Sequence, residues 1–233
     1  LGMTNTVFHS VHGLPPSAGE EPDQTTARDM AKLGQLCVQD PQILKWTSQK
    51  ELQFRPEEAL KMSTNKLLWQ MDGCDGIKTG YIRDAGFCIT ASACRDNVRL
   101  IAVVMGDSRK QDRFTSAKRL LDEGFAQVCR KQLIAAGDVV GDAVSVDNCE
   151  TTSVQLTAAQ PISVVVKRAD ADKITLAPEL PAQILAPVAA GTQFGVINAL
   201  LDGQVLASAP LAVPSDLAEA SLTWKVLRKL RLK

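Results

Sequence analysis

Residues 75–81 read Asp-Gly-Ile-Lys-Thr-Gly-Tyr, and this stretch has the character of a short strand with a glycine near each end. On such a strand the ammonium of Lys78 can attract a substrate carboxylate, and the Thr79 hydroxyl can donate a hydrogen bond to it. Gly80 leaves room for a substrate backbone beside the strand, and the N–H group of Tyr81 can contribute to an oxyanion hole. A three-residue match of this kind also occurs at exposed strand ends, so its meaning depends on the surrounding sequence.

The sequence after this stretch predicts an antiparallel hairpin followed by a helix. Residues 87–93 alternate, a polar turn follows at 95–97, and residues 98–105 form a nearly continuous apolar strand that we expect to be covered on both faces. A helix is predicted over residues 113–125. Its apolar face carries Phe114, Ala117, Leu120 and Leu121.

A second helix is predicted ahead of the triplet. Thr26 is its expected N-cap, Asp29 is the expected partner in a capping box, and the Asp-Pro pair at 40–41 ends it. Its apolar face carries Met30, Leu33, Leu36 and Cys37.

The amino-acid composition of the sequence changes after about residue 131. Val, Thr, Ala, Pro and Gly dominate, and turn residues separate short runs with β character. Strands at this spacing predict a small all-β domain. The predicted strands span residues 139–146, 152–156, 162–167, 173–176, 195–201 and 204–210.

The final segment predicts an amphipathic helix over residues 215–233, with Ser215 as its N-cap. Its last nine residues carry five cations and no acid. The apolar half of the helix would carry Leu217, Ala220, Trp224, Val226, Leu227 and Leu230. The basic half would carry Lys225, Arg228, Lys229 and Lys233. The pattern is imperfect, because it is interrupted by Leu222, Arg231 and Leu232. We interpret this helix as binding an anionic membrane surface, and a solvated helix is the alternative.

The composition restricts the classes of function. The 26 basic and 26 acidic residues cancel, which argues against a basic surface for nucleic acid. Two histidines and six cysteines without a CxxC pair argue against a metal centre, and we expect no cofactor. The cysteines are expected to be buried free thiols, with a disulfide as the alternative in an oxidising compartment. The sequence contains no run of eighteen apolar residues, so it predicts no membrane-spanning helix.

In this context the Lys-Thr-Gly triplet resembles that of the serine-type D-alanyl-D-alanine carboxypeptidases, the low-molecular-mass penicillin-binding proteins. The resemblance is dense through about residue 125. It is weaker to residue 213, where the family has a β-rich second domain, and it returns at the C-terminus, where many members carry an amphipathic membrane anchor. The matching stretches are residues 1–8, 12–14, 25–31, 65–69, 75–81, 85–88 and 99–106, and Arg113 with 120–121 and 124–125.

The resemblance implies a serine acyl-enzyme mechanism on the terminal D-Ala-D-Ala amide of a peptidoglycan stem pentapeptide. A serine attacks, the lysine of its S-x-x-K motif takes the serine proton, and a serine of an S-x-N motif relays protons to the departing D-alanine. β-Lactams would acylate the same serine. In the family both motifs precede the segment matched by residues 1–8, so we expect this chain to be the later part of a longer protein.

One serine of the chain matches both motifs by residue spacing alone. Ser63 fits S-x-x-K with Lys66 and S-x-N with Asn65, but one serine cannot fill both roles. The resemblance places it in the approach to the triplet rather than at the nucleophile. No catalytic residue is therefore assigned in this chain.

The resemblance also implies which residues bind substrate. They are Lys78, Thr79, Gly80 and Tyr81, joined by Arg113, whose planar guanidinium would lie near the substrate carboxylate. A surface charge at the start of a helix is the alternative for Arg113. His12 is expected to be a structural loop residue rather than a general base.

The predicted architecture is α+β. Residues 1–130 form part of a penicillin-binding transpeptidase-like domain with an antiparallel sheet, residues 131–213 form the β-rich domain, and 214–233 form the amphipathic helix. The expected location is the periplasmic face of the bacterial cytoplasmic membrane. Alternatives are a catalytically silent fragment or membrane-proximal interaction module, and a β-lactamase relative, against which the β-rich domain argues.

Overall fold

The computed structural model of the protein describes residues 1–231, and within its last helix it describes the side chains through Val226 and that of Arg228. The chain divides into two compact units between Gln127 and Val128. The division thus precedes the predicted boundary at residue 130, because the strand that opens the second unit begins at Val128. The mixture of helices and antiparallel strands confirms the predicted α+β class.

The first unit contains a three-stranded antiparallel sheet in the order β3-β4-β5. Helices α1 and α4 contact this sheet, and α2 and α3 contact β3. The elements are α1 (Ala27–Cys37), α2 (Pro41–Thr47), β1 (Glu51–Leu52), β2 (Lys61–Met62), α3 (Leu67–Gln70), β3 (Cys74–Ile82), β4 (Gly86–Arg95), β5 (Val98–Asp107) and α4 (Asp112–Gln127). The short elements α2, β1, β2 and α3 were not predicted.

Helix α4 supplies much of the core of this unit. Phe114, Ala117 and Leu121 are buried against apolar residues of the sheet, as the helical spacing predicts. Leu120 is 42% exposed, so its assignment to the apolar face is wrong. The buried residues follow the i, i+3, i+7 line of the helix, and Leu120 lies beside that line.

Helix α1 begins as predicted but faces the sheet differently. The Thr26 side chain accepts a hydrogen bond from the Asp29 N–H group, which confirms the N-cap. The expected capping box is replaced, because the buried Asp29 carboxylate accepts hydrogen bonds from the Asn5 N–H group and the Thr6 hydroxyl. Gly34 packs closely on the sheet, whereas Leu36, assigned to the apolar face, is 47% exposed.

The second unit is built from β-strands. Its larger sheet has the order β10-β12-β13-β8-β7-β11, with β11 parallel to β7, and β6 pairs with β9 in a second sheet. The strands are β6 (Val128–Ile134), β7 (Val139–Asp147), β8 (Ser153–Ala158), β9 (Ile162–Lys167), β10 (Thr175–Glu179), β11 (Gln183–Leu185), β12 (Gln193–Leu201) and β13 (Gln204–Ala212), with a 3-10 helix at Arg168–Lys173. All six predicted strands are present, whereas β6 and β11 were not predicted.

The final helix, α5 (Leu222–Arg231), starts later than predicted. The Ser221 hydroxyl accepts a hydrogen bond from the Trp224 N–H group, so Ser221 rather than Ser215 lies at its N-terminus. The predicted face positions of Leu227, Lys229, Leu230, Arg231, Leu232 and Lys233 lie outside the described side chains.

Residues ahead of α5 belong to the β-rich unit. Leu217 forms an antiparallel bridge with Val188 and is 4% exposed within the apolar core. The Asp216 carboxylate accepts a hydrogen bond from the Ala190 N–H group. The assignment of Leu217 and Ala220 to a membrane-facing half is wrong, because both side chains are buried in the protein.

Candidate active-site strand

The Lys-Thr-Gly triplet lies on β3, the terminal strand of its sheet. Lys78 and Gly80 are exposed, whereas Thr79 is 6% exposed. A Cβ atom at Gly80 would meet nothing within 4 Å, so the space beside this position is open. The Tyr81 ring stacks on Phe87 of β4 with ring centroids 4.2 Å apart. The strand therefore presents a cation, an amide backbone and free space at one place.

The segment before α3 is fastened to this strand by side-chain hydrogen bonds. The hydroxyls of Thr64 and Thr79 lie 2.7 Å apart. The buried Asn65 donates from Nδ2 to the Gly76 carbonyl and accepts from the Leu67 N–H group at the start of α3. The hydrogen bonds of Thr64 and Asn65 to the strand of the triplet were not predicted, although Asn65 is part of the S-x-N match at Ser63.

The beginning of β3 is held from two sides. The Thr47 hydroxyl donates to the Asp75 carbonyl, and a Cβ atom at Gly76 would come within 2.8 Å of the Thr47 hydroxyl oxygen. A side chain at position 76 would therefore displace the Thr47 hydroxyl that binds the strand. Arg99 of β5 donates to the Asp75 carboxylate at 2.7 and 2.9 Å and to the Ser92 hydroxyl. These contacts fix the strand ahead of Lys78.

Arg113 reaches the triplet from helix α4. Its side chain is buried, with 4% exposed, and its Nη1 atom donates to the Gly80 carbonyl at 2.8 Å and the Cys88 carbonyl at 3.3 Å. The guanidinium lies over the rings of Phe87 and Phe114. Burial lowers the pKa of this guanidinium, which stays protonated at neutral pH. The alternative interpretation of Arg113 as a surface charge is wrong.

A cavity of about 340 Å³ lies beside the strand. Its lining includes Lys78, Thr79 and Gly80 of the strand together with Phe8 and His12 of the N-terminal loop. His12 accepts a hydrogen bond at Nδ1 from the Leu14 N–H group, which is a contact within its own loop. The other residues that line the cavity are Gly13, Thr25, Met30, Cys88, Ile89, Thr90, Val103, Val104 and Met105.

Ser63 and Lys66 of the S-x-x-K match make separate contacts in the structure. Its hydroxyl accepts a hydrogen bond from the Asn65 N–H group at 3.2 Å. The Lys66 ammonium lies over the Trp69 ring, 5.2 Å from the ring centroid. The surroundings of Ser63 are those of a loop residue ahead of α3.

Neither a disulfide nor a metal-binding cluster is present among residues 1–231. All six cysteines are free thiols, but the expectation that they are buried is met only by Cys149, since the other five are partly exposed. Within residues 1–231, no group of three or more His, Cys, Asp or Glu side chains is arranged to hold a metal ion. No helix of the described chain is long and apolar enough to cross a membrane.

Comparison with known proteins finds a family that matches residues of each unit. The family described as D-alanyl-D-alanine carboxypeptidase matches residues 1–109, and the family described as penicillin-binding protein 5, C-terminal domain, matches residues 130–219. D-alanyl-D-alanine carboxypeptidase DacF of Bacillus subtilis is 33% identical over 224 residues, which cover 94% of this chain and 56% of that protein. D-alanyl-D-alanine carboxypeptidase DacA of Haemophilus influenzae is 33% identical over 231 residues, covering 97% of this chain and 57% of that protein.

Solved structures agree with this similarity. Penicillin-binding protein 5 from Haemophilus influenzae matches with a TM-score of 0.61 and 32% identity, covering 94% of this chain and 62% of that one. The chain spans 56–57% of the length of the two curated relatives.

Proposed function

Because the chain belongs to the D-alanyl-D-alanine carboxypeptidase family of low-molecular-mass penicillin-binding proteins, we propose that it forms the Lys-Thr-Gly side of a serine acyl-transfer site. The complete site would remove the terminal D-alanine from peptidoglycan stem pentapeptides. The observation that carries the proposal is the placement of Lys78, Thr79 and Gly80 on a terminal strand beside an open cavity.

Each residue of the strand has a chemical task in this proposal. The Lys78 ammonium attracts the substrate carboxylate and stabilises charge in the site, and the Thr79 hydroxyl donates a hydrogen bond to that carboxylate. Gly80 admits the substrate backbone, since the space beside it is open. The Tyr81 N–H group stabilises the oxyanion that forms when the acyl carbon becomes tetrahedral.

The nucleophile and its base belong to a preceding part of the protein in this proposal. The serine of S-x-x-K attacks the amide, the lysine of that motif accepts the serine proton, and the leaving D-alanine receives a proton before water hydrolyses the acyl-enzyme. β-Lactams would acylate the same serine. The names of the penicillin-binding relatives support this part of the proposal.

We place the protein at the periplasmic face of the cytoplasmic membrane, with α5 on the anionic lipid surface. Leu222 and Val226 are exposed apolar residues of this helix. Arg228 supplies positive charge, with its guanidinium 5.1 Å from the Trp224 ring centroid, whereas the Lys225 ammonium is paired with the Glu219 carboxylate at 2.6 Å. A helix with these side chains binds reversibly to an interface rather than spanning the membrane.

Labelling with a fluorescent penicillin tests the proposed function. The longer protein that contains this chain should become labelled at one serine outside residues 1–233, and the added mass should equal one penicilloyl group. The 233-residue chain alone should remain unlabelled, because its one S-x-x-K serine, Ser63, has its lysine turned to Trp69. A stoichiometric adduct on the chain alone would promote Ser63 to nucleophile, and an unlabelled longer protein would contradict the proposed function.

A further inference from the structure

The hydrogen bonds of Arg113 all run from Nη1 to backbone carbonyls, and its Nε atom is buried without a partner among the described residues. The residue is 4% exposed, and one of its terminal nitrogens is bonded to the carbonyls of Gly80 and Cys88. Among the ion pairs of the described residues, none includes Arg113. The charge of this guanidinium is therefore directed at the backbone of the strand pair that carries the triplet.

The two carbonyls that Arg113 contacts face each other across the sheet. Gly80 of β3 and Cys88 of β4 are register partners. A single nitrogen can reach both carbonyl oxygens only if both point into the space between the two strands, since carbonyls that point to opposite outer edges are too far apart. The Gly80 carbonyl thus points toward β4.

The position of the Tyr81 N–H group follows from this orientation. The Gly80 carbonyl and the Tyr81 N–H group belong to one planar peptide, in which they point in opposite directions. The Tyr81 N–H group therefore points to the outer edge of β3, where the sheet has no further strand among the described residues. The same peptide carries the Arg113 contact at one end and a free donor at the other.

We propose that Arg113 is a positioning residue, which strengthens the Tyr81 N–H group as an oxyanion donor by binding the carbonyl end of the Gly80–Tyr81 peptide. A charged donor draws electron density toward the carbonyl oxygen and leaves the N–H group a better donor, as in a cooperative hydrogen-bond chain. Burial keeps water from screening this charge. The inference rests on the proposed function, because it assigns the Tyr81 N–H group to the reacting acyl oxygen.

This role differs from direct binding of the substrate carboxylate in what it does to kinetics. A residue that acts through the oxyanion donor lowers the acylation rate and leaves KM nearly unchanged, whereas a carboxylate ligand raises KM. The loss should also be independent of whether the leaving group carries a carboxylate.

Two matched substrates separate these roles in the longer protein. Both are acyl-D-alanyl thioesters with the same acyl group, one with a carboxylate on its leaving group and one with a neutral leaving group. Arg113→Gln should slow acylation by both substrates to the same extent, by about tenfold, which is less than the hundredfold typical of deleting an oxyanion donor. Arg113→Lys keeps the charge and one donor, so its loss should be smaller. Arg119→Gln removes an exposed cation from the same helix and is the control.

A spectroscopic measurement on the 233-residue chain is independent of turnover. Tyr81 is the only tyrosine of this sequence, so 13C labelling of glycine carbonyls and 15N labelling of tyrosine isolates the Gly80–Tyr81 peptide as one NMR correlation. The Gly80 carbonyl and Tyr81 amide resonances should shift in Arg113→Lys and stay unchanged in Arg119→Gln. This variant keeps the inference testable where Arg113→Gln fails to fold.

The outcomes separate this inference from the proposed function. A loss confined to the carboxylate-bearing thioester, or an unmoved Gly80–Tyr81 correlation, overturns the inference in favour of direct or purely structural roles. If Lys78→Ala impairs both thioesters while the Arg113 variants do not, this inference alone fails. If Lys78→Ala also retains wild-type rates, the proposed function fails and the inference falls with it.

Discussion

The two units of the protein differ in what they bury. Every buried side chain in the described part of the second unit is apolar, whereas the first unit buries Asp29, Asn65, Thr79, Thr90, Ser92 and Arg113. Burying a polar group costs free energy unless it is hydrogen-bonded, and several of these groups have partners on one strand. Asn65 and Arg113 bond the carbonyls of Gly76 and Gly80.

This difference shows that the two units fill their interiors with different kinds of side chain. The second unit packs aliphatic side chains between its strands, an arrangement that stabilises a fold without specifying a chemical site. The first unit directs buried polar groups at residues 75–80 and so fixes the backbone of the strand that carries the triplet. Substitutions in the second unit should change stability, and substitutions around β3 should change chemistry.

The largest effect on stability is expected at the junction between the β-rich unit and α5. Deleting residues 217–233 removes Leu217 from an apolar core, and losing a buried leucine costs about 2–5 kcal/mol. The melting temperature should fall by roughly 8 °C or more. Deleting residues 222–233 should leave melting nearly unchanged, because Leu222 is 80% exposed.

The same pair of deletions locates the membrane contact. The shorter deletion should abolish co-sedimentation with anionic vesicles, and rising salt should weaken the binding of the intact chain. Thermal unfolding and vesicle binding measured on both truncations are sufficient for the test. Equal destabilisation by the two deletions would show that α5 packs against protein.

A smaller effect, on substrate binding, is expected at Thr64 in the first unit. Its hydroxyl lies 2.7 Å from that of Thr79, so Thr64→Val removes a bond that orients the proposed carboxylate donor. One hydrogen bond is worth about 1 kcal/mol, and KM for a carboxylate-bearing substrate should rise roughly fivefold. Thr64→Ser keeps the hydroxyl and should behave like the wild type. Steady-state kinetics of the longer protein measures both, and equal behaviour of the two variants would contradict the role.

The sequence predicts the elements whose patterning is long and regular. Helix α4 and the hairpin of β4 and β5 follow from the spacing of their apolar residues. Strand β11 covers only three residues and pairs in parallel with β7, so no hairpin turn marks it. Helix α2 covers seven residues and is too short for a clear period.

Tertiary contacts explain the remaining differences. Ser215 and Asp216 have the residue types of a helix start, yet Asp216 binds the Ala190 N–H group and Leu217 pairs with Val188. The burial of Arg113 and its bonds to the Gly80 and Cys88 carbonyls depend on packing across the sheet that no local pattern reveals, and its place near a substrate carboxylate stays a prediction. The triplet itself could be identified because its chemistry is contained in consecutive residues.

The most direct test of the central claim is the rate at which the longer protein hydrolyses a D-Ala-D-Ala pentapeptide after Lys78→Ala. Losing a charge-assisted contact at the reacting group costs about 3 kcal/mol, so turnover should fall by roughly a hundredfold with the fold intact. Lys110→Ala, which removes an exposed lysine of the same unit, should retain full turnover. Wild-type turnover in a folded Lys78→Ala protein would contradict the assignment of β3 to the active site.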